Sequence, residues 1–580
     1  MSSVYVRRNS ELEIMSICTD FHAARRKLDY PISATILLYS LLLMFALVGI
    51  CSAAPVKQPA ARQPARHEHT NVILISLDIL RPDHLGAYGY QRQTSPNIDR
   101  LAKQSVLFEN AIAHSYLTPV AHMSVLTGQY PRRHGMVSFE VTRDQVAKRT
   151  LPEILKIYGY ETAAVISSPE FFMRYDTGSG KIVNPKDVFS SSFDYYGRTV
   201  PDASGSVRVN PAGALDWLKA NKDKKFFLWI ESGMLHPPFS QTVPEPYKTR
   251  FDPPDYTPFY DRFPIRLGRE TVDRGVPTEA LFHVYKGDYY LDFTPIHRLT
   301  DKDVSFINGR YDAGVYYTDM FIGDLLNLLD TLKLSGKTLV VFHSIHGESL
   351  GEHGYFFHHD IFDTEIKTAL MFRLPANESG GTRISRQVQG IDILPTILDY
   401  LQIPQNHEIQ GSSLMPLVTG DPSKFGGSEY AFIDRLPWWE YVLGGWHLEH
   451  QAEREAQYTP AELKKMADYR ALLQSSIGGG KSPPGCIGIR TNDWKLILRE
   501  RRELLENISW WNFISGIKFP VEAVELYDLR RDPLEQKNVA KEHPEVVEKL
   551  KAKLLEWDAS HKMAMSRARD IKPPMIIPYP

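Results

Sequence analysis

The fold is limited first by the stretch Asn71 to Leu77, apolar except for Asn71 and Ser76, which runs directly into Asp78. It is too short for an ordinary helix and lacks the alternation of a half-exposed strand. It therefore reads as a central strand of a parallel sheet covered on both faces. Sheets of that kind carry their sites at the carboxyl ends of the strands, which puts Asp78 where chemistry is expected. The pattern recurs downstream. Strands are predicted at Thr162–Ser168, Phe226–Glu231 and Gly336–His343, with helices at Leu151–Tyr158, Pro211–Asn221 and Asp303–Leu332 among them. The predicted class is α/β: a large, doubly wound mixed sheet flanked by helices. Cys486–Leu498 and Glu525–Leu529 alternate like strands of a small antiparallel sheet, and Pro544–Trp557 reads as a helix, so a smaller C-terminal α+β domain is expected.

With 580 residues, 43% of them hydrophobic, the chain can bury a large core, and a formal net charge of -2 gives no footprint for a nucleic-acid partner. The apolar run Ile32–Ala54 is long enough to cross a bilayer, follows Arg25-Arg26-Lys27 and ends in small residues. It is either a cleaved signal peptide or an N-terminal anchor. Both place the folded part outside the cytoplasm, periplasmic or extracellular, free or membrane-anchored. Two of the 3 cysteines, Cys18 and Cys51, lie in or before that run, which leaves Cys486 alone downstream and no internal disulfide framework. The expected division is residues 1–54 as signal or anchor, 55–70 as a Pro/Ala/Gln/Arg linker, and 71–435 as the α/β domain. An aromatic-rich insertion (436–480) and the C-terminal part (481–580) follow.

Candidate site residues cluster around Ser115–Gly135. Pro119 suits the first turn of a helix and Gly128 its end, so the Thr118 hydroxyl would lie among free backbone N–H groups that favour an anionic group such as sulfate or phosphate. The competing reading makes Thr118 a simple N-cap. His236 follows a predicted central strand, and His346, Glu348 and the pair His358-His359 follow another. Asp392 precedes a predicted helix and reads as a cap or loop-ordering carboxylate.

Taken in chain order, these segments resemble the sulfatase family of the alkaline phosphatase superfamily. The resemblance rests on Asp78 with its following loop to Tyr90, on Leu126-Thr127-Gly128 with Tyr130-Pro131 and His134-Gly135, on His236, and on His346-Gly347-Glu348 through Gly354. It implies metal ligands at Asp78, Thr118 and His346, with His122 and His236 holding the oxygens of the anion and His358 serving the leaving group. Thr118 falls where the family carries a Cys or Ser that becomes formylglycine, so no formylglycine is expected. His122 falls at the Arg position, Ile79 where many members carry a second Asp, and Ile345 where a metal-ligand Asp stands. The resemblance thus implies a divalent cation (calcium, magnesium or manganese) that is weakly bound, with Glu348, His343, His359 or Asp360 as substitute ligands. It implies a hydrolase of sulfate or phosphate esters, acting on a small-molecule, glycan or lipid ester with Thr118 as nucleophile. The alternative is a catalytically inactive exported binding protein that keeps the fold.

Overall fold

The computed structural model describes residues 69–136, 149–167, 188–198, 211–236, 243–256, 300–354, 356–358, 360–405, 408–435, 486–499 and 522–568, together with short strands at 174–176, 181–183, 265–267 and 270–272. The apolar N-terminal run, the 55–68 part of the linker, His359 and the whole 436–480 insertion lie outside these residues. No helix among the described residues is long and apolar enough to cross a membrane.

In chain order the elements that position the site are β1 (Asn71–Leu77), α1 (Pro96–Lys103), β2 (Val106–Ile112), α2 (Thr118–Thr127), α3 (Pro131–His134), α4 (Leu151–Ile157), β3 (Glu161–Ile166), β4 (Tyr195–Arg198), α5 (Gly213–Asn221), β5 (Phe226–Ser232), α6 (Asp301–Thr331), β6 (Thr338–Ser344), β7 (Lys367–Arg373), β8 (Arg383–Ile384), β9 (Val388–Gln389) and α7 (Ile393–Tyr400). The large sheet runs β8-β2-β7-β6-β1-β5-β3-β4, with β9 also paired to β2. β1 lies between β5 and β6, parallel to both, and every one of its residues is buried. Burial on both faces is what its nearly continuous apolar sequence demanded. β7 alone runs against the others, antiparallel to β6 on one side and β2 on the other.

Alternate strand residues feed two cores. Val72, Leu74, Leu339 and Val341 pack with residues of α2, α4 and α7, whereas Ile73, Ile75, Val340 and Phe342 pack with residues of α1, α5 and α6. The sheet is therefore wound with helices on both sides. Each fully buried Leu, Ile or Val contributes roughly 1.5–3 kcal/mol.

A second, four-stranded antiparallel sheet follows in the order β10 (Ala431–Arg435), β11 (Cys486–Arg490), β12 (Trp494–Arg499) and β13 (Val524–Asp528). Helix α8 (Pro544–Ala568) lays Val547, Leu550, Leu554 and Trp557 on Ile487, Ile489, Leu496 and Leu526. The sheet takes its first strand from just before the aromatic-rich insertion. A buried ion network joins the two parts. Arg490 Nη2 meets Asp363 Oδ2 at 2.7 Å, and Lys495 Nζ lies 3.2 Å from Asp363 Oδ1 and 2.9 Å from Glu535 Oε1.

Candidate active site

The site lies at the carboxyl ends of β1, β5 and β6, capped by the start of α2. Asp78 directly follows β1, is fully buried, and donates its backbone N–H to Ser232 O at 2.9 Å. Thr118 is the first residue of α2, and the N-cap is Leu117. Thr118 is therefore not a simple cap. Its hydroxyl donates to Asp78 Oδ1 at 3.2 Å and lies 3.0 Å from His346 Nε2. His346 Nε2 is in turn 3.2 Å from Asp78 Oδ1, and its Nδ1 is 2.9 Å from Gly347 O. α2 ends at Gly128, whose φ of 66° is a left-handed conformation that glycine adopts without strain.

Ile79 continues from Asp78 with φ of 50°, a conformation that costs a β-branched residue. Tyr311 of α6 braces it: the phenol donates to Ile79 O at 2.7 Å and accepts from Arg81 N at 2.8 Å. Arg81 reaches Asp83 and Glu352 at 2.6 Å each and the carbonyl of Glu348 at 3.2 Å. Asp83 thus orders a loop.

The electrostatics follow from burial and pairing. Burial alone would raise the Asp78 carboxyl, but the hydrogen bond and charge of His346, helped by His236 and His358, hold it well below the usual range. Burial likewise opposes the charged form of His346, yet Asp78 and Gly347 O raise its pKa. Burial pushes Glu348 well above the ordinary carboxylate value. Three imidazoles adjoin: His358 has its ring centroid 4.6 Å from that of His346 and 5.3 Å from that of His236.

His122, on α2, is placed differently from its expected role. Its ring stands edge-on to Trp229 at 5.0 Å, its Nε2 is buried without a hydrogen-bond partner, and burial lowers its pKa to about 3. It is a neutral group beside the cluster, with no bond to Thr118.

Of the four substitute ligands, His359 lies outside the described residues and the other three are engaged with other partners. His343 Nε2 lies 2.7 Å from Ser76 Oγ, Asp360 meets Arg499 at 3.0 Å, and Glu348 faces His358 with Nδ1 to Oε2 at 3.2 Å. Sequence reasoning missed that last pairing, whose only signal was a Glu two residues after His346. Asp392 accepts from Gln389 N and Ser412 N at 2.8 Å each, as a loop-ordering carboxylate does.

The donor set can be compared with what a divalent cation needs. Calcium takes about six to eight oxygens and magnesium a near-octahedral shell. Asp78, Thr118 and His346 offer one carboxylate, one hydroxyl and one imidazole. Asp78 Oδ2 is buried without a hydrogen-bond partner, the one unmet acceptor in this cluster. Ile345 is 2% exposed and belongs to the apolar cluster under α2. Among the described residues no group of three or more His, Cys, Asp or Glu side chains is arranged to hold a metal. These residues do not make a complete hard-cation cage.

Comparison with known proteins agrees with this architecture. The chain is 24% identical over 548 residues to an N-acetylglucosamine-6-O-sulfatase of Bacteroides thetaiotaomicron, a match that covers 86% of this chain and 87% of the relative. It is 28% identical over 345 residues to human iduronate 2-sulfatase, covering 53% of this chain and 60% of that one. Among solved structures, a protein bound to its substrate D-glucosamine-2-N,6-O-disulfate superposes with TM-score 0.55 at 20% identity, over 88% of this chain and 100% of the other. The phosphonate monoester hydrolase of Agrobacterium radiobacter gives 0.57 at 21%, over 85% and 96%. The sulfatase family model matches residues 70–403, from the start of β1 to just past α7, and the chain therefore belongs to the sulfatase family, within the alkaline phosphatase superfamily.

Proposed function

We propose that the chain hydrolyses sulfate or phosphate esters with Thr118 as the nucleophile. The observation that carries this reading is the Thr118 hydroxyl held 3.0 Å from His346 Nε2 and 3.2 Å from Asp78 Oδ1. A hydroxyl is a weak nucleophile until a base takes its proton. In neutral His346, with Nδ1–H donated to Gly347 O, the lone pair resides on Nε2 and faces the hydroxyl, which turns its proton from Asp78 Oδ1 to this nitrogen. As Thr118 Oγ bonds to sulfur or phosphorus, its proton passes to Nε2, and Asp78 stabilises the imidazolium. The bond to the alcohol oxygen breaks, and His358 supplies that oxygen with a proton while His236 holds the anion. Water then attacks the ester on Thr118, giving up a proton to His358, and the threonine oxygen recovers its proton from His346 as its bond to sulfur or phosphorus breaks.

The family generally uses a divalent cation, and the shortfall at Ile345 means that calcium, magnesium or manganese would bind here only weakly. Because Thr118 cannot supply the aldehyde of formylglycine, phosphate esters should be turned over faster than sulfate esters. The relatives named for N-acetylglucosamine and iduronate sulfates favour esters on sugars as the substrate class. The apolar run Ile32–Ala54 favours action outside the cytoplasm.

The second reading, a non-catalytic oxyanion-binding protein, is favoured by Ile345, buried in the apolar core where the family places a ligand. Matched aryl phosphate, aryl sulfate and phosphonate monoester substrates separate the two. Under the hydrolase reading, Thr118→Ala abolishes turnover and His346→Ala nearly so, with the fold intact in both. Equal residual rates in the parent and both variants would hand the site to the binding reading.

A further inference from the structure

A short hairpin pairs Ser349 with Phe357 and Leu350 with Phe356. Continued by one residue, that register sets Glu348 opposite His358, within reach as cross-strand neighbours are. The carboxyl oxygens of Glu348 lie 3.2 and 3.3 Å from His358 Nδ1. Glu348 is fully buried, and its backbone is fixed on both sides: the N–H donates to Thr364 O at 2.9 Å and the carbonyl accepts from Arg81 at 3.2 Å. A buried carboxyl is costly unless it meets a partner, and the imidazole is that partner. His358 keeps 13% of its side chain exposed and adjoins the rings of His346 and His236.

We propose that Glu348 is a positioning residue for His358: it holds Nδ1 and thereby turns Nε2 toward the substrate space above Thr118. This rests on the proposed ester hydrolysis, in which His358 serves the leaving oxygen. A ring fixed in this way delivers its proton along one direction. A freely rotating ring would lose that alignment, and misplacement by about 1 Å is enough to cost roughly a hundredfold in rate.

The test uses the full chain and a series of aryl phosphates whose leaving phenols differ in acidity. Glu348→Ala should lower kcat by about tenfold to a hundredfold with KM nearly unchanged, as loss of a group that orients another does. The loss should grow as the phenol becomes less acidic, in parallel with His358→Ala. The double variant should be no worse than His358→Ala alone, and Glu348→Gln, which keeps an acceptor for Nδ1–H, should retain most of the rate. Losses that multiply in the double variant, or that ignore the leaving group, would overturn the assignment. If the parent turns over no ester, the hydrolase reading fails. The positioning is then decided by imidazole nitrogen NMR shifts of His358, which must move in both Glu348→Gln and Glu348→Ala. Unchanged shifts in the Gln variant overturn it even if the Ala variant does not fold.

Discussion

Replacing Ile345 by Asp would restore a carboxylate where the sulfatase family carries a metal ligand, and the surroundings set its cost. Ile345 is 2% exposed and packs with Ala121 and Val125 of α2 and Leu370 of β7 around a small internal cavity. Emptying such a site of an Ile costs about 2–5 kcal/mol, and an unpaired carboxylate there adds to that. In the presence of a chelator the urea midpoint should fall by the equivalent of about 3–5 kcal/mol. Manganese at a hundred times its Kd should return about 2.7 kcal/mol, because a ligand that binds only the folded state stabilises it by mass action. Ile345→Asn carries the same packing loss without the charge and should show no such recovery, and the parent should respond to manganese less than the Asp variant. Titration calorimetry on the folded proteins gives the affinities directly. Equal manganese responses in all three proteins would show that position 345 does not face a cation, and the shortfall argued for this site would be wrong.

Three further outcomes are expected. Burial pushes the Asp392 carboxyl up to about 7, so its contribution to stability is fully present below about pH 4, where the group is protonated folded or unfolded, and is lost as pH rises through 7. The parent's unfolding midpoint should therefore decline across that window by up to a few kcal/mol, at about 1.4 kcal/mol per pH unit, and Asp392→Asn should flatten the decline. Asp363→Asn leaves Arg490 and Lys495 buried with less compensation and should cost about 3–5 kcal/mol, read from denaturant unfolding; a loss below about 1 kcal/mol would remove Asp363 from the role of anchor. N-terminal sequencing of the exported protein should begin near Ala54; an intact N-terminus in the membrane fraction would identify the apolar run as an anchor instead.

What the sequence disclosed depended on how local the determining physics was. β1, β5 and β6 were legible because strands buried on both faces leave nearly continuous apolar runs, and α2 because Pro119 and Gly128 mark its ends. The reversed direction of β7 was not, since direction is set by connections and neighbours and leaves no mark in a five-residue apolar run. β10 was absorbed into the large domain because Ala431–Arg435 pairs with β11 across a long insertion. Asp78, Thr118 and His346 were found in motifs and do converge. His122 shares the helix of Thr118, yet its ring turned to Trp229, a choice made by aromatic packing that no spacing rule carries. The Glu348–His358 pairing depends on a hairpin register, and with only two residues on each strand the hairpin has almost no pattern to read.

The ion network around Asp363 bears on how this protein can be divided. Gly347 N donates to Glu365 O at 2.7 Å and Glu348 N to Thr364 O at 2.9 Å, so the loop carrying His346 and Glu348 rests on residues 364 and 365. The rest is tight: a Cβ on Gly347 would lie 2.1 Å from Thr364 O. Asp363, the next residue back, is clamped by Arg490, Lys495 and Glu535, all supplied from beyond residue 403, where the family match ends. A fragment cut at that boundary would keep Thr118, His236 and His358, and lose the clamp that steadies the floor under the His346 and Glu348 loop.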